Sequence, residues 1–469
     1  MFLSIVITIF FIFNLFLFSF REGKKDMREE NNNAVVDEAQ DFEQGNVQEK
    51  SKQQKRESRR RRRRRSQFIA YMIVLVLISV TIAGLVWGIK KVSAAVINHQ
   101  NEKQAQVAAS DSSENEEIAI ISPDDEAVPL ASETEEIVNN RIDGTLLDMT
   151  LEEKAAYIFF VTPEQLTGVD SAVKAGSSTQ AALEQYTVGG IVYSSNNIKS
   201  DDQIKEMLAT TSQMSRFPLL LAVSEEGGSR SVAATSLGIT ATKAPSQIGG
   251  SDDAIENANT LGSYLLNYGF NLNLAPSLGL TDSETSFGTD ANLTAQVASV
   301  YITSLESKGV SACATSFPVA VTDPMSGLET VDLSMEELQA GAFIPFQYAI
   351  DSGVDAIMVS NVVCPAISGD TPCSLSGGAI TDTLRGSLGY DGIVITDAMN
   401  TPAITSSYSS GQAAVAAVIA GADMIYMPED FQEAYNGIME ALSTGVITED
   451  RLNESIRRIL RVRYMYEAM

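Results

Sequence analysis

Asp397 closes the run Gly389-Tyr390-Asp391-Gly392-Ile393-Val394-Ile395-Thr396-Asp397. A turn signal launches four apolar or β-branched residues, and the run stops on a carboxylate. That is how a buried parallel strand with a functional tip reads. In a barrel of alternating strands and helices, the carboxyl ends of the strands surround the active site, so an Asp there is placed for chemistry. The same residue can instead cap the segment that follows. Other carboxylates stand at comparable places. Glu225 and Glu226 follow the apolar run Leu219 to Val223, and Asp323, Glu329 and Asp332 lie on the loop after Ala312 to Phe317. Each of these also reads as a solvated loop carboxylate in an acidic domain.

Other chemistries are narrowed by what is missing. The single histidine, His99, falls outside the part that reads as folded, so no His-dependent metal site, triad or general base can be built there. Three cysteines are too few for a disulfide framework or a thiolate metal site. Cys313 sits in an apolar run and reads as a buried small hydrophobe. Cys364 and Cys373 flank a short loop and can pair if the domain lies outside the cell. No metal and no cofactor is expected.

The elements that must position these residues run from Arg141 onward, where strand-like and helix-like runs alternate. Eight candidate strands are Ile158 to Val161, Gly190 to Tyr193, Leu219 to Val223, Asn271 to Ala275, Ala312 to Phe317, Ala356 to Val359, Gly392 to Thr396 and Met424 to Met427. Amphipathic helices lie between most of them, including Asp253 to Leu266, Asn292 to Leu305, Met335 to Ile350 and Gly411 to Ala420, and Glu449 to Tyr466 closes the chain. Thr150 with Glu153 three residues on has the form of a capping box. The expected fold class is α/β, a (β/α)8 TIM-type barrel over residues 141–469. An open doubly wound sheet is the alternative, but Gly227-Gly228 lacks the glycine spacing of its phosphate fingerprint.

The amino-terminal third differs in kind. Residues 1–20 are almost wholly apolar, which reads as a first membrane span, or as untranslated sequence if the true start is Met27. Residues 21–66 are polar and read as a disordered basic segment ending in seven arginines, Arg59 to Arg65. Residues 67–91 read as a transmembrane helix, with Tyr71 and Trp87 near its two ends. The arginine cluster before it outweighs Lys90 and Lys91 after it. The positive-inside rule therefore places everything after Lys91 outside the cell. Residues 92–140 read as a flexible acidic stalk. Net charge is +5 over residues 1–66 and −34 over 92–469. No nucleic-acid partner is expected for so acidic a domain, while neutral sugars and cationic partners remain open.

Several motifs resemble glycoside hydrolase family 3, in particular its single-domain bacterial β-N-acetylhexosaminidase branch. They are Met149 to Lys154, Gly189-Gly190-Ile191, Pro218 to Val223 with Glu226-Gly227-Gly228, and Gly269-Phe270-Asn271 with Asn273, Ala275 and Pro276. Gly389 to Asp397, and Ala420 to Met424 followed by Met427-Pro428, complete the set. The resemblance covers 141–469 in order. It implies the TIM-type barrel and places the family's nucleophile, which serves a retaining mechanism, on Asp397.

The rest of the family's site departs from its pattern. The Asp that holds sugar hydroxyls is Ser224, and the Arg before Ser-Phe-Gly is Thr285. The family's Lys-His-Phe-Pro-Gly is Thr315-Ser316-Phe317-Pro318-Val319, its Ala-Pro-Val-x-Asp ends in Gly279, and the His at the end of strand six is Asn361. The acid/base His of the hexosaminidase branch is also missing. Charge-assisted bonds to hydroxyls are worth about 1.5–3 kcal/mol each, and a missing general acid costs about 10²–10⁴ in rate. The expectation is a membrane-anchored, extracytoplasmic barrel that has lost hydrolysis and binds a cell-wall glycan or an envelope protein. Two alternatives stand beside it. One is an active retaining glycosidase of wall sugars, with Asp323, Glu329 or Asp332 as the acid. The other is a structural spacer in an envelope complex.

Overall fold

Short apolar runs become strands because both faces of a parallel sheet are covered, and all eight expected runs do so. The computed structural model describes residues 131–468 apart from 321, 322, 324 and 326. The strands are β1 (Phe159–Val161), β2 (Gly190–Val192), β3 (Leu220–Val223), β4 (Leu272–Asn273), β5 (Ser311–Phe317), β6 (Ala356–Val359), β7 (Ile393–Thr396) and β8 (Ile425–Tyr426). They pair in parallel in the order β7-β6-β5-β4-β3-β2-β1-β8. The ring is completed where Ile395 bridges Met424 and Thr396 N–H donates to Met424 O over 3.0 Å. The fold is thus the expected barrel.

Its helices are α1 (Ala131–Asp148), α2 (Leu151–Tyr157), α3 (Ser177–Gln185), α4 (Asp201–Met214), α5 (Ser251–Tyr268), α6 (Ala291–Glu306), α7 (Met335–Ala340), α8 (Phe343–Asp351), α9 (Ser410–Ala420), α10 (Phe431–Ser443) and α11 (Glu449–Ala468). Thr150 caps α2 through the capping box, with Glu153 N–H donating to its Oγ1 over 3.2 Å and its own N–H to Glu153 Oε2 over 2.8 Å. A wide helical stretch at Gly378–Ser387 makes the crossover between β6 and β7.

Two expectations are corrected here. The stalk does not extend to residue 140, because α1 starts at Ala131 and crosses that boundary. Val138, Ile142, Leu146 and Met149 are buried at helical spacing, and Glu135 pairs with Arg461 of α11. The polar composition of 131–140 conceals one apolar stripe that continues past the boundary. The single helix expected over Met335 to Ile350 is two, α7 and α8, because the chain turns at Gly341 with φ −137° and ψ −88°.

The expected spans at 1–20 and 67–91, the basic segment 21–66 and the stalk up to residue 130 lie outside the described residues. Among the described residues no helix is long and apolar enough to cross a membrane. The barrel lies within one compact unit, Asp125–Met469.

Candidate active site

Asp397 follows β7 directly, and its N–H donates to Val359 O of β6 over 2.8 Å. Its carboxylate is spent locally. Oδ1 accepts from the N–H of Ala398 over 2.7 Å, and the N–H of Asn361 also points to the carboxylate. Burial pushes the acid up from its ordinary value, and these two backbone donors oppose the push. No side-chain cation or acid hydrogen-bonds it among the described residues. This arrangement matches the capping role weighed above as well as it matches a nucleophile.

Asn361 is the tie that holds this end of the barrel. Its Nδ2 donates to Ala398 O over 2.8 Å and to Thr401 Oγ1 over 3.2 Å, and its Oδ1 accepts from Ser374 Oγ over 2.6 Å. One buried amide therefore joins the loop after β6 to the loop after β7. The sequence reading placed Asn361 as an altered sugar-contact position and missed this role. It also missed Ser360. Val359 pairs with Thr396, so the next residues, Ser360 and Asp397, run side by side, and the fully buried Ser360 Oγ has no hydrogen-bond partner.

The strand-three tip separates its two glutamates. Glu225 is fully buried, and its carboxylate accepts from Ala233 N–H over 2.6 Å, Ala234 N–H over 3.1 Å and Tyr264 Oη over 2.7 Å. It caps the short helix Val232–Leu237 and has no oxygen to spare for substrate. Glu226 is half-buried, and its carboxyl has no hydrogen-bond partner among the described residues. Burial raises it first, Arg230 lowers it, and Glu284 raises it again. Of the acids considered, Glu226 best combines a raised proton affinity with an unoccupied carboxyl.

Ser224 is half-buried at the same tip. Thr285 is half-buried, and its hydroxyl meets Ser283 Oγ at 3.1 Å, inside its own loop. Thr315 and Ser316 are half-buried at the end of β5, where Thr315 N–H donates to Pro276 O over 2.9 Å. Asp323 is exposed and accepts from Met325 N–H over 3.0 Å, Asp332 is exposed, and Glu329 is half-buried. A backbone bond from Val363 N–H to Glu329 O, 2.8 Å, lays this loop beside the segment after Asn361.

Cys364 and Cys373 flank their loop without a bond between them. Both are buried free thiols, as is Cys313. The Ser368 hydroxyl touches both, accepting from Cys364 N–H over 3.0 Å and bonding the Cys373 thiol. Burial pushes that thiol up to about 12, far from the thiolate that exchange requires. All three cysteines are expected to resist alkylation in the native protein and to react fully in denaturant without reductant. Mass spectrometry reads this directly, and an unreactive pair in denaturant would show a bridge. Among the described residues no group of three His, Cys, Asp or Glu side chains stands close enough to hold a metal.

Residues 150–462 match the glycosyl hydrolase family 3 N terminal domain. The chain belongs to that family. A β-hexosaminidase of Tolumonas auensis is 31% identical over 263 residues, which are 52% of this chain and 76% of that protein. A β-N-acetylglucosaminidase/β-glucosidase of Cellulomonas fimi is 25% identical over 277 residues, 55% of this chain, and the chain spans only 49% of that relative's length. Among solved structures, a glycoside hydrolase family 3 β-N-acetylglucosaminidase of a Paenibacillus species superposes with a TM-score of 0.63 at 29% identity. The match covers 68% of this chain and 63% of that one.

Proposed function

We propose that this family 3 barrel is anchored in the membrane, stands outside the cell, and binds a wall glycan or an envelope protein without hydrolysing it. The observation that carries the reading is the set of neutral side chains Ser224, Thr285, Thr315, Ser316 and Asn361 at the family's charged positions, in a fold without histidine. Asp397 accepts from loop N–H groups, and among the described residues no side-chain cation hydrogen-bonds it. The anchor rests on the apolar run at 67–91 and the arginines before it.

A second reading, an active retaining glycosidase, is favoured by one feature, Glu226, whose carboxyl has no hydrogen-bond partner among the described residues and is raised by burial. The test is the detergent-solubilised full chain on a panel of aryl β-glycosides that includes the N-acetylglucosaminide, beside Asp397→Asn. The expected result is no turnover above the variant. Turnover that disappears in Asp397→Asn overturns the binding reading. In that case Glu226→Gln is expected to lose about 10²–10⁴ in kcat if it is the acid.

A further inference from the structure

Most lysines and arginines of the described residues stand in ion pairs, but Lys174, Lys199, Lys205, Arg230, Lys308 and Arg463 do not. Three of these six line one cavity of about 730 Å³. It lies at the amino ends of β4 and β5, the end of the barrel opposite Asp397, between α4, α5, α6 and the last turns of α11. So much unpaired positive charge in one place is unexpected in a stretch, residues 92–469, that carries net −34.

The three cations are held ready. The Lys205 ammonium sits 5.2 Å over the ring of Tyr268. The stem of Lys308 lies against α5 at Gly262, where an added Cβ would meet its Cβ at 3.0 Å. Arg463 is half-buried, and its Nε is buried with no acceptor among the described residues. A half-buried guanidinium with an unmet N–H and no acid within ion-pair distance is costly, and an anion from outside the chain would relieve that cost. The acids of the same cavity are engaged elsewhere. Glu467 bonds Arg141 and acts on Arg463 only from beyond ion-pair distance, and Glu306 accepts from the N–H groups of Asp355 and Ala312. Burial and the neighbouring Asp355 keep a proton on Glu306, pushing it up to about 9.

We propose that this cavity is a binding site for a small multivalent oxyanion, of which a phosphate group is the type, held by Lys205, Lys308 and Arg463. The volume suits a small molecule, and ammonium and guanidinium groups together match phosphate oxygens. The source is either a soluble phosphate compound or a phospholipid headgroup.

The test is calorimetric titration of the detergent-solubilised full chain with inorganic phosphate at constant ionic strength, and separately with a soluble short-chain phosphatidylglycerol. The run Arg59 to Arg65 contributes a background common to all variants, so the cavity is read as the difference from a Lys205→Ala/Lys308→Ala double variant. That variant is expected to fold, because these side chains reach the surface. The expected result is one saturable site, weakened about tenfold per charge removed and so about a hundredfold in the double variant. Saturation by phosphate points to the soluble source, and saturation by the lipid alone points to the headgroup. Isotherms equal in wild type and double variant, or no saturable binding of either probe, overturn the proposal.

Discussion

Asp423→Ala is expected to destabilise the barrel by about 3–5 kcal/mol, enough to unfold many domains outright. Asp423 is buried just ahead of β8 and accepts from Arg385 Nη2 over 2.6 Å, Val394 N–H over 2.9 Å, Ser455 Oγ over 2.9 Å and Arg458 Nη1 over 3.3 Å. Arg451 stands 3.8 Å away. One carboxylate thus neutralises guanidinium groups brought from the β6–β7 crossover and from α11. It also holds the backbone of β7, the strand that ends at Asp397. Removing it leaves partly buried cations facing one another, and the cost arises from that uncompensated charge. Asp423→Asn keeps an acceptor and loses the charge, so its effect is expected to fall between wild type and Ala. Urea denaturation followed by far-ultraviolet circular dichroism measures both, and a loss below about 1 kcal/mol for Asp423→Ala would refute this account.

Alkaline pH is the second large effect, and its sign is opposite to the usual carboxylate case. Glu306 is pushed from 4.5 to about 9, first by burial and then by Asp355, which burial also raises. Asp355 accepts from Tyr466 Oη of α11 over 2.6 Å, so the two acids sit where the last helix closes the floor of the barrel. The folded state holds a proton that the unfolded chain releases above about 4.5. The stabilisation is therefore complete below that pH and is lost as pH rises toward about 9. The slope for one such proton is about 1.4 kcal/mol per pH unit. Glu306→Gln keeps an acceptor for the two N–H groups and cannot ionise. It is expected to match wild type near pH 4 and to exceed it by about 5 kcal/mol at pH 8, the span above 4.5 taken at that slope. Denaturation midpoints across pH 4 to 9 test this, and parallel curves for the two proteins would show that Glu306 titrates normally.

The barrel was legible because its signals are local. Four apolar or β-branched residues such as Ile393 to Thr396 specify a buried strand wherever they fall, and a Thr with Glu three residues on starts a helix by itself. Asp397 was legible for the same reason, as a carboxylate at the end of such a strand. The start of α1 was hidden because residues 131–140 are mostly polar, and only docking on α11 makes Val138 a core residue. The break at Gly341 was hidden because both halves of the segment carry helical periodicity.

By itself the sequence determined an eight-stranded α/β barrel, the family to which it belongs, a carboxylate, Asp397, at the tip of the seventh strand, and the absence of histidine from the fold. Tertiary structure alone decided what each polar group does. Asn361 finds its partners 13, 37 and 40 residues away, and Glu225 and Glu226, adjacent in the chain, are a spent cap and an open carboxyl. Lys205, Lys308 and Arg463 share a cavity although they come from three distant segments. The physical reason is one of range. Backbone conformation and apolar periodicity are set by neighbours in sequence, whereas hydrogen bonding, desolvation and charge pairing depend on whatever the closed barrel brings within a few ångströms.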